Sequence, residues 1–154
     1  MSISKYFVRN VATTKESSNI DDAIEVMRAY GAHDVVVVEN KGGKPFPLGI
    51  LSCHDIAMKA FGKKASGKDL FVRDIMTRNP ITCEENHGIY ETIDLMQQND
   101  VKRLPVVDED GALIGIVTAS DLFGILSEEL SGLTKRTERP NWRKKGTNAQ
   151  TAIV

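Results

Sequence analysis

The sequence contains few cysteines and no long apolar stretch. Among its 154 residues there are 2 cysteines, Cys53 and Cys83. They form no CxxC spacing, so neither a zinc site nor a disulfide framework is indicated, and we expect two free thiols. No apolar run approaches the roughly 20 residues of a membrane helix, and Met1 to Lys5 hold no signal-peptide core. We therefore expect a soluble, cytoplasmic protein without a membrane span.

A strong net charge is also missing, although the charge is unevenly distributed. The formal net charge is −1. Residues 135–145 carry six basic side chains and one acidic one, a net +5, which leaves −6 on the rest of the chain. An acidic body argues against a broad nucleic-acid surface, but this tail, with Trp142 among its basic residues, could stack on a base and neutralise phosphates. A tail that only solubilises the chain is the competing interpretation.

What the chain does contain is an internal repeat. Residues 3–42 align without a gap on residues 72–111. The register slips once, by three residues, at Lys44 to Pro47, and then Leu48 to Asp55 aligns on Ile114 to Asp121. Repeats of this kind bury a shared core between neighbouring copies. A functional site is therefore expected where the two copies meet.

Each copy has the pattern of an extended segment, a helix, two strands and a second helix. Apolar residues at helical spacing predict the first helix, ending near Gly31 in the first copy. Val35 to Val38 and Leu104 to Val107 have the composition of buried strands, and Asp108 to Gly111 that of a hairpin turn. Leu113 to Thr118 is predicted as the next strand, followed by an amphipathic helix.

These patterns predict an α+β fold made of two units. The first unit covers residues 3–61 and the second covers residues 72–130. The polar, glycine-bounded residues 62–71 are predicted as a linker. Residues 131–154 lose periodicity and gain charge, so we predict a basic, largely disordered tail.

Four motifs of the second copy occur in a characteristic order. They are Val72 to Thr77, Pro80 to Thr82, Arg103 to Asp108 and Gly115 to Leu122. In this order and spacing they resemble the cystathionine-β-synthase (CBS) domain, and the two copies together resemble a CBS pair, or Bateman module. The resemblance implies two repeats packed with pseudo-twofold symmetry. It also implies a regulatory, non-catalytic sensor that binds AMP, ADP, ATP or S-adenosylmethionine between the repeats, forms a homodimer, and signals to a protein partner.

One motif, Gly-x-x-(Ser/Thr)-x-x-Asp, occurs in both copies, starting at Gly49 and at Gly115. The glycine would let a ligand approach the strand, and the hydroxyl and first-turn amides favour phosphate. The carboxylate can accept both hydroxyls of a ribose. Ser/Thr-x-x-Asp is also the spacing of a capping box, which needs no ligand. Its occurrence at matching positions of both copies favours the ligand, while capping remains the alternative.

The resemblance implies which residues line two clefts. One cleft would combine Thr118 and Asp121 with Phe7, Ala12 and Ala32, and with Lys102 or Arg103 near the phosphates. The other would combine Ser52 and Asp55 with Met76, Ile81 and Val101, and with His33 and Asp34. Asp34 stands where the second copy has Arg103 and would repel phosphate. The cleft of Asp121 is therefore expected to bind a phosphorylated ligand better.

No other constellation indicates catalysis or metal binding. Cys53, His54 and Asp55 are sequence neighbours on a predicted helix, so they point to different sides and cannot form a relay. The three histidines have no metal-ligand spacing. We expect no enzyme activity, no metal and no catalytic cofactor. The alternative function is an interaction or nucleic-acid-tethering protein with vestigial clefts, acting through residues 135–145.

Overall fold

The structure, a computed structural model, describes residues 2–60 and 66–136. Within these ranges, no helix combines the length and apolar character needed to cross a bilayer. Linker residues 62–65 and tail residues 137–154 lie outside the described residues. The predicted nucleic-acid contacts of Trp142 and its basic neighbours fall in that tail.

Both repeats show the predicted order of elements, and the α+β fold is confirmed. The first repeat begins with a short 3-10 turn at Ile3–Lys5. The first repeat contains β1 (Thr13–Thr14), α1 (Ile20–Tyr30), β2 (Asp34–Lys41), β3 (Lys44–Ser52) and α2 (Cys53–Asp55), then a π-helical turn at Ile56–Ala60. The second contains α3 (Val72–Ile75), β4 (Thr77–Arg78), β5 (Cys83–Glu84), α4 (Ile89–Gln98), β6 (Arg103–Val107), β7 (Leu113–Thr118) and α5 (Ala119–Arg136).

Helix α1 starts and ends where its sequence signals lie. The Asn19 side chain accepts a hydrogen bond of 2.8 Å from the Asp22 N–H and so caps the helix. Gly31 ends it in a left-handed conformation with φ of 60°, which glycine adopts without strain. Ile20 and Met27 are buried, as the apolar spacing predicted.

Helix α4 contains a buried hydroxyl that the apolar pattern did not predict. Thr92 is fully buried between the turns that carry Ile89 and Met96. Its hydroxyl donates a hydrogen bond of 2.8 Å to the Gly88 carbonyl. This local bond satisfies the polar group, so Thr92 can share the buried face of the helix.

The three-residue register slip lengthens the hairpin of the first repeat. Strands β2 and β3 have 8 and 9 residues, whereas β6 and β7 have 5 and 6. Gly42 and Gly43, with φ of 57° and 79°, make the tight turn. Lys44 then pairs with Asp110 at 2.7 Å and with Asp108 at 3.3 Å, on the predicted turn of the second repeat. The longer hairpin thus contacts the other repeat.

The leading segment of each repeat joins the sheet of the other repeat. The structure has a four-stranded sheet of order β1-β2-β3-β4 and a three-stranded sheet of order β5-β6-β7. Strand β4, from the second repeat, pairs with β3 through Thr77 and Ile50. Val8, from the first repeat, exchanges hydrogen bonds of 2.9 and 3.0 Å with Ile116 in β7. The repeat alignment makes these two pairs equivalent, as a pseudo-twofold axis requires.

The glycine of each repeated motif makes room for this exchange. A Cβ at Gly115 would overlap the ring of Phe7. A Cβ at Gly49 would lie 2.6 Å from the Thr77 carbonyl oxygen and 3.3 Å from the Met76 sulfur. The glycines therefore admit the leading segment of the other repeat, where the sequence analysis expected them to admit a ligand.

The chain divides into two compact units, Met1–Leu122 and Phe123–Val154. In the second unit, α5 continues through residues 131–136, where the sequence analysis predicted a disordered tail. Gly132 alone does not end the helix, because one interior glycine costs only about 1 kcal/mol. Phe123 and Leu130 on this helix are 73% and 64% exposed.

Candidate functional site

A cleft of about 430 Å³ lies between the repeats inside the first compact unit. The first repeat contributes its leading segment and the turn between α1 and β2. The second contributes the start of β6 and the turn from β7 into α5. This volume falls within the range of small-molecule sites, which is roughly 300 to 1,000 Å³. The exchange of leading segments is what brings both repeats to one cavity.

The cleft gathers part of the predicted site. From the predicted set it contains Ala12, Ala32, His33, Lys102, Arg103 and Thr118. His33 and Asp34, assigned by the sequence analysis to the cleft of Ser52, line this one. Tyr30 also lines it and was missed. Tyr30 lies in the last turn of α1 and is 48% exposed, but it follows the buried Ala23 by seven residues, so its helical spacing is that of a core residue and gave no signal of a site.

Thr118 and Asp121 form a capping box at the start of α5. Asp121 Oδ2 accepts hydrogen bonds from the Thr118 N–H at 2.8 Å and from its hydroxyl at 2.7 Å. Thr118 Oγ1 accepts one from the Asp121 N–H at 3.2 Å. Capping therefore occurs without a ligand. Among the described residues, none donates a hydrogen bond to Asp121 Oδ1. Asp121 does not line the cleft, although it directly follows the lining residue Ser120.

The equivalent box in the first repeat uses both carboxylate oxygens. Asp55 Oδ2 accepts from the Ser52 N–H at 3.1 Å and from the Ser52 hydroxyl at 2.9 Å. Asp55 Oδ1 pairs with Lys59 Nζ at 3.2 Å. Burial acts to raise the pKa of Asp55, but the hydrogen bonds from Ser52 and the Lys59 ammonium outweigh it, so the pKa lies below its usual value.

The two residues expected to distinguish the clefts form an ion pair with each other. Arg103 Nη1 contacts Asp34 Oδ2, and the two side chains are 34% and 11% exposed. Burial lowers the pKa of the Arg103 guanidinium, which nevertheless starts so high that the group stays charged. Among the described residues that line the cleft, Lys102 is the remaining lysine or arginine. The positive charge offered to a ligand is therefore smaller than the sequence suggested.

The remaining predicted residues do not line this cleft. Phe7 and Met76 are each 7% exposed and pack on the equivalent motif glycines. Ile81 and Val101 align with Ala12 and Ala32, two lining residues of the first cleft. The pseudo-twofold axis therefore relates Ile81 and Val101 to the same places on the side of Ser52 and Asp55.

Metal-binding and thiol groups are sparse in the described part of the chain. Residues 2–60 and 66–136 contain no cluster of three histidine, cysteine or acidic side chains that could hold a metal ion. Cys83 is buried, and burial raises the pKa of its thiol to about 12. Cys53 is exposed and its Sγ lies 3.6 Å from the Met27 sulfur.

Comparison of the sequence with protein families finds the same two repeats. The CBS domain model matches residues 3–62 and again residues 72–128. An uncharacterized protein of Methanopyrus kandleri is 32% identical over 125 residues, which cover 81% of this chain and 62% of that protein. Inosine-5'-monophosphate dehydrogenase of Methanocaldococcus jannaschii is 31% identical over 116 residues, which cover 75% of this chain but 22% of the enzyme. The chain thus spans less than two thirds of either relative.

Among solved structures, CBSX2 of Arabidopsis thaliana in complex with AMP has a similar fold. It is 25% identical to this chain with a TM-score of 0.69. The similarity covers 82% of this chain and 96% of CBSX2.

Proposed function

This chain belongs to the CBS-domain family as a pair of CBS repeats, and from this we propose that it is a non-catalytic sensor of an adenosine-containing ligand. The observation that carries the proposal is the cleft between the repeats, whose lining residue Ser120 is followed by Asp121, a carboxylate with no hydrogen bond to Oδ1 from the described residues. The AMP complex of CBSX2 supports the choice of ligand class. Occupancy would be passed to a protein partner.

The cleft has a group suited to each part of such a ligand. Asp121 Oδ1 would accept a hydrogen bond from a ribose hydroxyl. Lys102 and the exposed first turn of α5 favour an anionic phosphate. Val11 and Ile116 give apolar wall to an adenine ring. AMP, ADP and ATP contain all three parts. S-adenosylmethionine contains the adenine and the ribose but no phosphate.

Substitution of the two motif carboxylates tests the proposal. Asp121→Ala should weaken the binding of AMP by roughly 1.5 to 3 kcal/mol, the scale of a hydrogen bond to a charged group. Asp55→Ala is the matched control, because it removes the same cap in the other repeat while leaving the cleft of Asp121 intact. Each lost cap should cost about 1 kcal/mol of stability without ligand. Equal AMP affinity in both variants would reduce Asp121 to a helix cap.

The apolar side chains of α5 support a homodimer. Phe123 and Leu130 are 73% and 64% exposed, and their seven-residue spacing places them along one side of the helix. A closed twofold dimer is the commonest way to cover such a stripe. Light scattering should return about twice the 17.0 kDa chain mass.

A charge placed in the stripe tests this dimer. Phe123→Glu should shift the mass toward the monomer, because a buried carboxylate at the contact is unfavourable. Tyr90→Glu, the same change at a 77% exposed aromatic residue of α4, should leave the dimer intact. A wild-type monomer would contradict the proposal.

A further inference from the structure

A lysine occupies the hydrogen-bonding position that a ligand would need in the first repeat. We propose that Lys59 locks the cleft of Ser52 and Asp55, so that the chain binds one adenosine-containing ligand, in the cleft of Asp121. This inference rests on the proposed function and specifies how many sites each chain offers. It makes Lys59 the residue that determines the number of sites.

The lock consists of two contacts made by one ammonium group. Lys59 Nζ pairs with Asp55 Oδ1 at 3.2 Å and donates a hydrogen bond of 2.9 Å to the Ile75 carbonyl oxygen. Ile75 ends α3 in the second repeat and directly precedes Met76, a predicted residue of this cleft. Lys59 therefore joins the two repeats beside Asp55, the carboxylate that a ligand on this side would need.

The lock leaves Asp55 without an open oxygen. Ser52 holds Oδ2 and Lys59 holds Oδ1. A ribose hydroxyl could bind Asp55 only by displacing the ammonium, which would lose a charge-assisted bond on a carboxylate that is 17% exposed. Among the described residues, no ammonium or other donor occupies Asp121 Oδ1, because both hydrogen bonds that the carboxylate accepts end on Oδ2.

Two differences between the repeats accompany the lock. The counterpart of Lys59 in the second repeat is Ile125, which carries no donor. The backbone also differs, because residues Ile56–Ala60 form a π-helical turn while α5 is a regular α-helix. Turns of this rare kind occur frequently at functional sites. Both differences affect the first repeat alone.

Counting bound ligands by isothermal titration of the full chain with AMP tests the lock. Wild type should bind one AMP per chain. Lys59→Met keeps most of the stem and removes the ammonium, so it should bind two. Lys59→Arg, the matched control, can keep the ion pair and should still bind one. Lys59→Ile, which copies the residue of the second repeat, replaces the methionine variant if that variant does not fold.

A second substitution assigns the new site. Adding Asp55→Ala to Lys59→Met should return the count to one, because the unlocked carboxylate is removed. Adding Asp121→Ala to Lys59→Met should weaken AMP binding in the cleft of Asp121 and leave AMP binding beside Asp55 unchanged.

The outcomes separate the lock from the proposed function. Two sites in wild type, or one site in folded Lys59→Met and Lys59→Ile, would overturn the lock alone. Loss of AMP binding in Lys59→Met would make Lys59 a ligand contact and would overturn it as well. Absence of AMP binding in every variant would overturn the lock, and the proposed function falls with it only if ADP, ATP and S-adenosylmethionine also fail to bind the wild-type chain.

Discussion

Asp34 and Arg103 stand at equivalent positions of the two repeats and form an ion pair with each other. Two residues related by a pseudo-twofold axis can meet only near that axis, so the pair marks the centre of the repeat interface. It also lies on the wall of the cleft. Each charge is thereby largely neutralised where a phosphate would approach.

Removing the acidic partner should strengthen the binding of phosphorylated ligands. Asp34→Asn frees the Arg103 guanidinium, and the gain for AMP should be on the order of 1 kcal/mol, about fivefold in affinity. Adenosine, which has no phosphate, should bind as before. Calorimetric titration of both ligands checks this. An equal gain for adenosine would show that the substitution acts on the shape of the cleft and not on its charge.

The ion pair shows what sequence reasoning could not supply. Hydrophobic periodicity and turn residues are local, so they located α1, the strands and the turn ending at Gly111. The partner of Asp34 depends on where the axis falls, and alignment of the repeats alone contains no distance between them. The sequence therefore placed Asp34 and Arg103 in two clefts, whereas the folded chain places them in one.

The contacts of the motif glycines also could not be predicted from local sequence patterns. Gly115 lies in a strand-to-helix motif, and the close approach that a glycine permits was predicted. The group that approaches is Phe7, more than a hundred residues away in sequence. Only the exchange of leading segments, which is a tertiary feature, reveals this. Lys59 was missed for a related reason, because its contact at Ile75 belongs to the other repeat.

Alanine at Gly115 should destabilise the chain. The added methyl group would overlap the Phe7 ring, and overpacking of this kind costs roughly 1 to 3 kcal/mol. Phe7→Leu in the same chain should recover part of the loss, which a double-mutant cycle in urea would measure. Gly124→Ala is the control, because a Cβ at this glycine of α5 meets nothing within 4 Å. If both alanines had equal effects, the packing explanation would fail.

The ionised Asp55 carboxylate should stabilise the fold in a pH-dependent way. Its pKa is lower in the folded chain than the usual value of about 4, so its contribution is present above that pH. It is lost as the pH falls through the folded-state pKa. The stability difference between wild type and Asp55→Asn should therefore be present at neutral pH and shrink below about pH 4. Urea unfolding at several pH values measures it, and a constant difference would contradict the assignment.

The two cysteines should differ sharply in reactivity. Cys83 is 1% exposed and burial raises the pKa of its thiol to about 12, so little thiolate forms and reagents cannot reach it. Cys53 is exposed. Iodoacetamide at mildly alkaline pH should label Cys53 in the native chain and Cys83 only after unfolding, as mass spectrometry of peptides would show. Native labelling of both at similar rates would contradict the burial of Cys83.

The central claim is that the cleft between the repeats binds an adenosine-containing ligand. Isothermal titration of the wild-type chain with AMP, ADP, ATP and S-adenosylmethionine tests it most directly. Saturable binding of at least one of them, at one site per chain, is the predicted result. If none of the four gives saturable heat, and none raises the unfolding free energy as a ligand bound only to the native state must, the claim is wrong.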